Sequence, residues 1–335
     1  MIDDEESPTA EVRRAADLSE VVGLDPARYD RQAVLERVGL PGEETRRWWR
    51  AMGLVEAPDG VVAFGRDDVA MARALKLVLQ QGPAAEEHIY RLARLLGGSF
   101  SRIAEAQAEV IDDMLQTYPD FGPVDTPAER AAALQSPEAT MLMNVLEESL
   151  LYVWRRHLHG ALGRWVGADP ENADQAVGFA DISGFSAMSK RLDPEILEDV
   201  IDHFEAQTVD VVSTHDGRVV KFIGDEALFV VEDVGTAVDV ALDIVDRMGE
   251  GDHPVAMHCG IAHGPTVTIG GDVFGNTVNL AKRLTDIARR GKVVLTRDDS
   301  EELQERDDLR LSRLRRNLEL KGLGRTPIVN VTRRP

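Results

Sequence analysis

Asp181 and Asp225 each stand where an apolar run stops, in Val177-Gly-Phe-Ala-Asp181-Ile and Val219-Val-Lys-Phe-Ile-Gly-Asp225-Glu. Carboxylates in that position add little to a fold. Brought together, two of them can hold a pair of divalent cations about 3.5–4 Å apart, the arrangement that steadies attacking and leaving oxygens in phosphoryl transfer. An enzyme acting on a nucleotide is the first expectation. Lys221 interrupts the second apolar run, and burying it is costly unless something pairs with it. Asn279 and Arg283 are four apart in a stretch that reads as helix, so they share one face a turn from each other. Among Val278, Leu280, Ala281 and Leu284, an amide and a guanidinium on one side suit either a polar ligand or a solvated face.

Composition bounds these expectations. A chain of 335 residues, 43% hydrophobic, is long enough for two domains with a core in each. A formal charge of −21 repels nucleic acid and anionic lipid over most of the surface, but leaves room for a nucleotide met by local cations and metal. No run approaches 18 apolar residues, and the acidic start, Met1-Ile-Asp-Asp-Glu-Glu-Ser-Pro8, lacks the pattern of a secretory signal. A soluble, cytoplasmic protein is expected, with no membrane or nucleic-acid partner. The single cysteine, Cys259, excludes an intramolecular disulfide and reads as a small buried strand residue.

The elements that must position these groups fall into two regions. Residues 1–20 are charged and aperiodic, hence expected to be disordered. Residues 21–168 read as helical. A short helix, a turn and a second helix stopped by Gly53 precede a wing-like strand at Val61-Val-Ala-Phe64. A helix capped by Asp67 or Asp68 follows, in a pattern resembling a MerR-type winged helix. A long helix from Ala84 to Gln116 carries a possible break at Gly97-Gly98. After the proline-rich loop Tyr118–Pro127, the apolar stripe Met141, Leu142, Val145, Leu146, Leu150, Val153, Trp154, Leu158, Leu162 and Trp165 predicts a connecting helix, serving as core or subunit contact. It ends at Gly167-Ala-Asp-Pro170.

From Gln175 onward strands and helices alternate. A strand, a helical crossover, a tight hairpin at Ile223-Gly224-Asp225-Glu226, a second helix and another strand make a βαββαβ ferredoxin-like unit with strands appended. In that topology the end of the first strand lies beside the middle hairpin, so Asp181 and Asp225 meet. The expected fold class is α+β: a palm-type domain over 169–335 behind an all-helical region.

Taken together, five strings resemble the class III nucleotidyl cyclases in order and spacing. They are Phe179-Ala-Asp181-Ile-Ser-Gly-Phe185, Lys221-Phe-Ile-Gly-Asp225-Glu, Gly260-Ile-Ala-His-Gly264-Pro, Asp272-Val-Phe-Gly-Asn-Thr-Val-Asn279-Leu-Ala-Lys-Arg283 and Leu320-Lys321-Gly322. The resemblance covers roughly Gln175 to Val331. It implies that Asp181 and Asp225, with the main-chain carbonyl of Ile182, hold two Mg²⁺ or Mn²⁺ ions per site. It implies that Lys221 and Asp272 read the adenine edge, which makes ATP the substrate. Asn279 is implied to orient the ribose, Arg283 to offset charge on the α-phosphate, and Lys321 to meet the terminal phosphates. The active form implied is a head-to-tail homodimer, one protomer supplying the metal aspartates and its partner Lys221, Asp272, Asn279 and Arg283. The arm Thr266-Val-Thr-Ile-Gly-Gly271 is short, as in the class IIIc subgroup, and Phe274 stands where tryptophan is usual. The helical region resembles the regulatory domain that precedes some class IIIc cyclases, with His88, His157 and His159 as titratable candidates.

Three other readings stay open on the residues. A GGDEF-type diguanylate cyclase shares the hairpin but not Asn279 and Arg283. A DNA-binding regulator would use Arg46, Arg47 and Arg50, against the acidic balance. A silent nucleotide sensor would not need the full set of site residues.

Overall fold

The computed structural model describes residues 18, 19, 21–39, 41–81, 86–167, 174–250, 253–313, 318–320 and 324–334. The disorder expected for 1–20 lies almost entirely outside them, as does Lys321. By contacts the chain divides into Met1–Gly163 and Arg164–Pro335.

In the first unit, α1 (Arg31–Val38) is capped by Asp30, whose carboxylate accepts from the Ala33 amide at 2.8 Å. Gly39, at φ +64°, ends it in the left-handed conformation. The helices α2 (Gly42–Ala51), α3 (Arg66–Gln81) and α4 (Glu86–Thr117) follow. Val34, Val38, Trp48, Phe64, Val69, Ala72, Leu75, Tyr90 and Ala93 form their shared core. At the start of α3, Asp68 accepts from the Gly65 amide at 2.7 Å, while Asp67 accepts from the Asp25 amide. Two expectations need correction. Val61–Phe64 forms no strand, only a bridge from Phe64 to Tyr29, because its main-chain pairing is confined to Ala63 and Phe64 against Arg28 and Tyr29. Gly97-Gly98 does not break α4. A Cβ on Gly97 would fall 2.2 Å from the Met52 carbonyl oxygen, so glycine there lets α4 pass the end of α2 closely.

A 3₁₀ turn at Pro119–Phe121, the capping-box helix α5 (Pro127–Leu134) and the 31-residue α6 (Pro137–Gly167) complete the helical series. Along α6 the stripe residues Trp154, Leu158, Leu162 and Trp165 are exposed within the single chain, so they are not its core.

The second unit is built on a seven-stranded sheet with order β2-β3-β1-β4-β7-β11-β8. Its strands are β1 (Asp174–Ile182), β2 (Arg218–Ile223), β3 (Glu226–Val231), β4 (Met257–Pro265), β7 (Val293–Thr296), β8 (Leu309–Arg313) and β11 (Ile328–Arg333). Two ribbons stand apart: β5 (Val267–Ile269) with β6 (Asp272–Phe274), and β9 (Leu318–Leu320) with β10 (Gly324–Thr326). After the short α7 (Phe185–Met188), α8 (Pro194–Thr214) crosses from β1 to β2, and α9 (Val234–Met248) crosses from β3 to β4. The quartet β2-β3-β1-β4 is antiparallel throughout, as the βαββαβ reading requires.

Strand alternation builds two cores. Ala176, Ala180, Ile182, Phe229, Cys259 and Ile261 face α8 and α9. Val177, Phe179, Leu228, Ala262 and Val294 face α10 (Asn276–Ile287) through Ala281 and Leu284. Cys259 is fully buried, as expected, and burial pushes its thiol far above the usual range.

Candidate active site

Asp181 occupies the penultimate position of β1, opposite Glu226 on β3 and His258 on β4. Asp225 sits in the two-residue loop between β2 and β3. Gly224, at φ +62°, takes the positive dihedral that the first position of a tight II′-type hairpin demands. The Asp225 main-chain carbonyl accepts from the Ile182 amide at 3.1 Å, which fastens the hairpin to the end of β1. The two carboxyls, 44 positions apart in sequence, therefore meet as the topology requires.

That meeting is costly for both to ionise. Burial, the charges of Asp225 and Glu226, and a hydrogen bond with Asp225 push the Asp181 carboxyl up to about 7. His258 Nε2 lies 3.4 Å from Asp181 Oδ2, and Ser183 Oγ lies 2.9 Å from His258 Nδ1. Burial first, then the Lys282 charge, lowers the His258 pKa. Glu226 is buried and meets Lys282 Nζ at 2.7 Å, while the same ammonium reaches Asp286 at 2.8 Å.

Among the described residues no group of three or more His, Cys, Asp or Glu is placed to hold a metal ion. A pair suffices for Mg²⁺ or Mn²⁺ acting on a nucleotide, since such ions keep waters and take one or two carboxylates together with substrate phosphates. Two adjoining acids, whose mutual repulsion Lys282 only partly offsets, fit that hard-oxygen donor set.

Lys221 Nζ donates to Asp272 Oδ2 at 2.5 Å. The lysine is not buried, contrary to the expectation from its apolar neighbours: its side chain is 41% exposed. Burial raises the Asp272 carboxyl, but hydrogen bonds from Lys221 and the Val273 amide, with the charges of Lys221 and Arg218, outweigh it and hold the pKa below the usual value. Asn279 and Arg283 ride on α10, whose buried face is Thr277, Ala281, Leu284 and Thr285; Asn279 is exposed and Arg283 half-buried. Gly260 lets α10 lie close on β4.

The residues that sequence reasoning missed are Ser183, Arg218, Glu226, His258 and Lys282. Glu226 and His258 were within reach, because the strand pairing that joins Asp181 to Asp225 also sets these two beside it. Of the arginines offered for DNA, Arg47 and Arg50 are paired with Glu86 and Glu56, and Arg46 approaches Glu56 at 3.9 Å. That face is not a free cationic surface. His88, His157 and His159 are exposed.

Residues 169–331 match the family described as the adenylate and guanylate cyclase catalytic domain. Over 280 residues the chain is 36% identical to an adenylate cyclase of Streptomyces coelicolor, spanning 82% of this chain and 72% of that protein. An adenylate cyclase of Streptomyces griseus is 35% identical over 279 residues, 82% of this chain and 68% of the other. A Mycobacterium tuberculosis protein described as a pH-sensitive adenylate cyclase is 28% identical over 284 residues, 82% and 70% of the two chains. The chain belongs to the class III adenylate and guanylate cyclase family, which sets aside the GGDEF-type reading.

Proposed function

We propose that the chain is an adenylate cyclase, forming 3′,5′-cyclic AMP and pyrophosphate from ATP at sites shared across a homodimer. The observation that carries this reading is the convergence of Asp181 and Asp225 at the β2–β3 hairpin. Divalent cations bound there would lower the pKa of the ribose 3′-hydroxyl and offset triphosphate charge.

The chain's own groups do the rest. The 3′-hydroxyl gives its proton to water, its oxygen attacks the α-phosphorus to form the new P–O bond, and the bond to pyrophosphate breaks. Asp181 and Asp225 keep the acidic cradle in place, with His258 and Ser183 bracing Asp181. From the partner, Asn279 orients the ribose and Arg283 meets charge spreading over the α-phosphate, interactions that tell most in the transition state. Lys321 serves the terminal phosphates. Lys221 donates to a ring nitrogen of adenine while Asp272 accepts from its 6-amino group. On guanine the position-6 substituent is an acceptor, and the same pair meets the wrong polarity. The Lys221–Asp272 contact supports ATP over GTP.

The N-terminal helices are read as regulatory. Similarity to the named adenylate cyclases runs well beyond residues 169–331, and one of those relatives is described as pH-sensitive. No helix among the described residues is long and apolar enough to cross a membrane.

The test is product identification with ATP and Mn²⁺ or Mg²⁺. Wild-type protein is expected to form cyclic AMP, EDTA to stop it and either metal to restore it, and Asp225→Ala to lose at least on the order of 10²-fold in turnover. Metal-independent turnover, or an Asp225→Ala variant as active as wild type, sinks the reading.

A further inference from the structure

Strand β2 does not alternate evenly. In a regular strand Arg218 and Lys221, three positions apart, would face opposite sides of the sheet. Here Arg218 lies opposite Val230 and Val219 opposite Phe229, but the next paired residue is Lys221, opposite Leu228. Val220 is the extra residue of a β-bulge. Val230 and Leu228 both belong to the core layer under α10, so the bulge turns Arg218 and Lys221 to the same face. Val219 and Phe222 both turn to the other layer.

Both cations then reach one hairpin. Lys221 donates to Asp272, and Arg218 Nη1 donates to the main-chain carbonyl of Gly271 at 3.0 Å. Apart from these contacts the hairpin is anchored by Val273, buried in the layer under α10, while its Gly270–Gly271 turn is exposed. It is a ribbon of two three-residue strands outside the main sheet, with Val267, Ile269 and Phe274 exposed. Its Gly270–Gly271 turn has positive φ at both residues, and nothing lies within 4 Å of where a Cβ on Gly271 would sit. A two-stranded ribbon of this size is marginal on its own, yet it carries Asp272.

We propose that Arg218 is a positioning residue for base recognition: by holding the Gly270–Gly271 turn against β2, it sets the Asp272 carboxylate where it and Lys221 together meet the adenine edge. This rests on the adenylate cyclase reading and deepens it. Arg218 acts through Asp272, so it governs ATP affinity and the choice of ATP over GTP, and not the chemical step.

The test compares Arg218→Met, which keeps a long stem without the donor, with Arg218→Lys. Loss of one charge-assisted hydrogen bond is expected to raise KM for ATP about 10-fold in Arg218→Met with kcat within about twofold, the pattern of lost ground-state binding. The preference for ATP over GTP should fall with it, and Arg218→Lys should recover part of both. In an Asp272→Ala background the Arg218→Met substitution should change KM by less than about twofold, because its target is gone. Hydrogen exchange reads the positioning without turnover: amides of 267–274 should exchange faster in Arg218→Met while those of β1 and β4 do not. An unchanged KM and unchanged exchange, or an equal rise in KM with and without Asp272, overturns the proposal. A wild type that forms no cyclic AMP sinks the adenylate reading and base positioning with it, and the exchange result then decides only whether Arg218 holds the turn.

Discussion

Lys282 reaches Glu226 across 2.7 Å, and so ties the helix that carries Asn279 and Arg283 to the strand that begins one residue after Asp225. In a shared-site dimer those two elements serve different sites, so one ion pair braces half of each. Glu226 is 7% exposed and its burial raises its pKa despite the cation, whereas Lys282 is held protonated by both its carboxylate partners.

Removing the ammonium strands that carboxylate. Lys282→Met should lower stability by about 1–3 kcal/mol, the usual cost of a buried polar group left without its partner. Urea midpoints check this. Lys282→Met combined with Glu226→Leu should be milder than the single change, because no orphaned charge remains.

Gly260 makes the helix seat. A Cβ there would lie 2.2 Å from the Thr285 amide nitrogen and 2.5 Å from the Ala281 carbonyl oxygen, both main-chain atoms of α10. Gly260→Ala therefore displaces α10 as a body. A loss of about 1–3 kcal/mol in unfolding free energy is expected. Turnover should fall by about 10- to 100-fold as Asn279 and Arg283 leave register. Denaturation and steady-state assays on the same variant measure both.

Shared sites give a signature in mixtures. Asp225→Ala and Arg283→Ala protomers, each inactive alone, should regain about a quarter of wild-type activity when mixed equally. Half of the random dimers then contain one intact site of two. Mixtures no more active than their components would place all groups of a site in one protomer.

Acid stability has its own anchor. The Arg306 guanidinium bridges Asp239, at 2.8 and 3.1 Å, and Asp308, at 2.6 and 2.8 Å. Chiefly through that hydrogen bond, the Asp308 carboxyl is held down at about 2. A carboxyl depressed in the folded state stabilises at neutral pH, and that contribution is lost as pH falls from about 4 through 2. Arg306→Gln should thus be less stable than wild type at pH 7, with the gap closing towards pH 2. Because Asp308 is exposed, salt should narrow it as well. Urea midpoints across pH and salt are the check.

Much of this is legible in the sequence, and what is not shares a cause. The order of the β1–β4 quartet and the approach of Asp181 to Asp225 follow from apolar runs and one tight hairpin, signals that are local. The bulge at Val220 is not local: it depends on how β2 registers against β3, and a Val-Val-Lys string reads the same with or without it. Gly97-Gly98 carries a break signal, but the reason for glycine is the Met52 backbone, 45 positions earlier. Val61–Phe64 has the composition of a strand, but its pairing stops at the single bridge from Phe64 to Tyr29. Lys282 and Glu226 are 56 positions apart, and neither neighbourhood hints at the other.

Cys259 is sealed between β4 and the carbonyl of Ala241 on α9, and it is the chain's one sulfhydryl. A maleimide or spin label offered to the folded protein thus finds no native target. Any cysteine installed on the surface, on α6 or the β5–β6 ribbon for instance, becomes a unique handle for a probe without first stripping out the original.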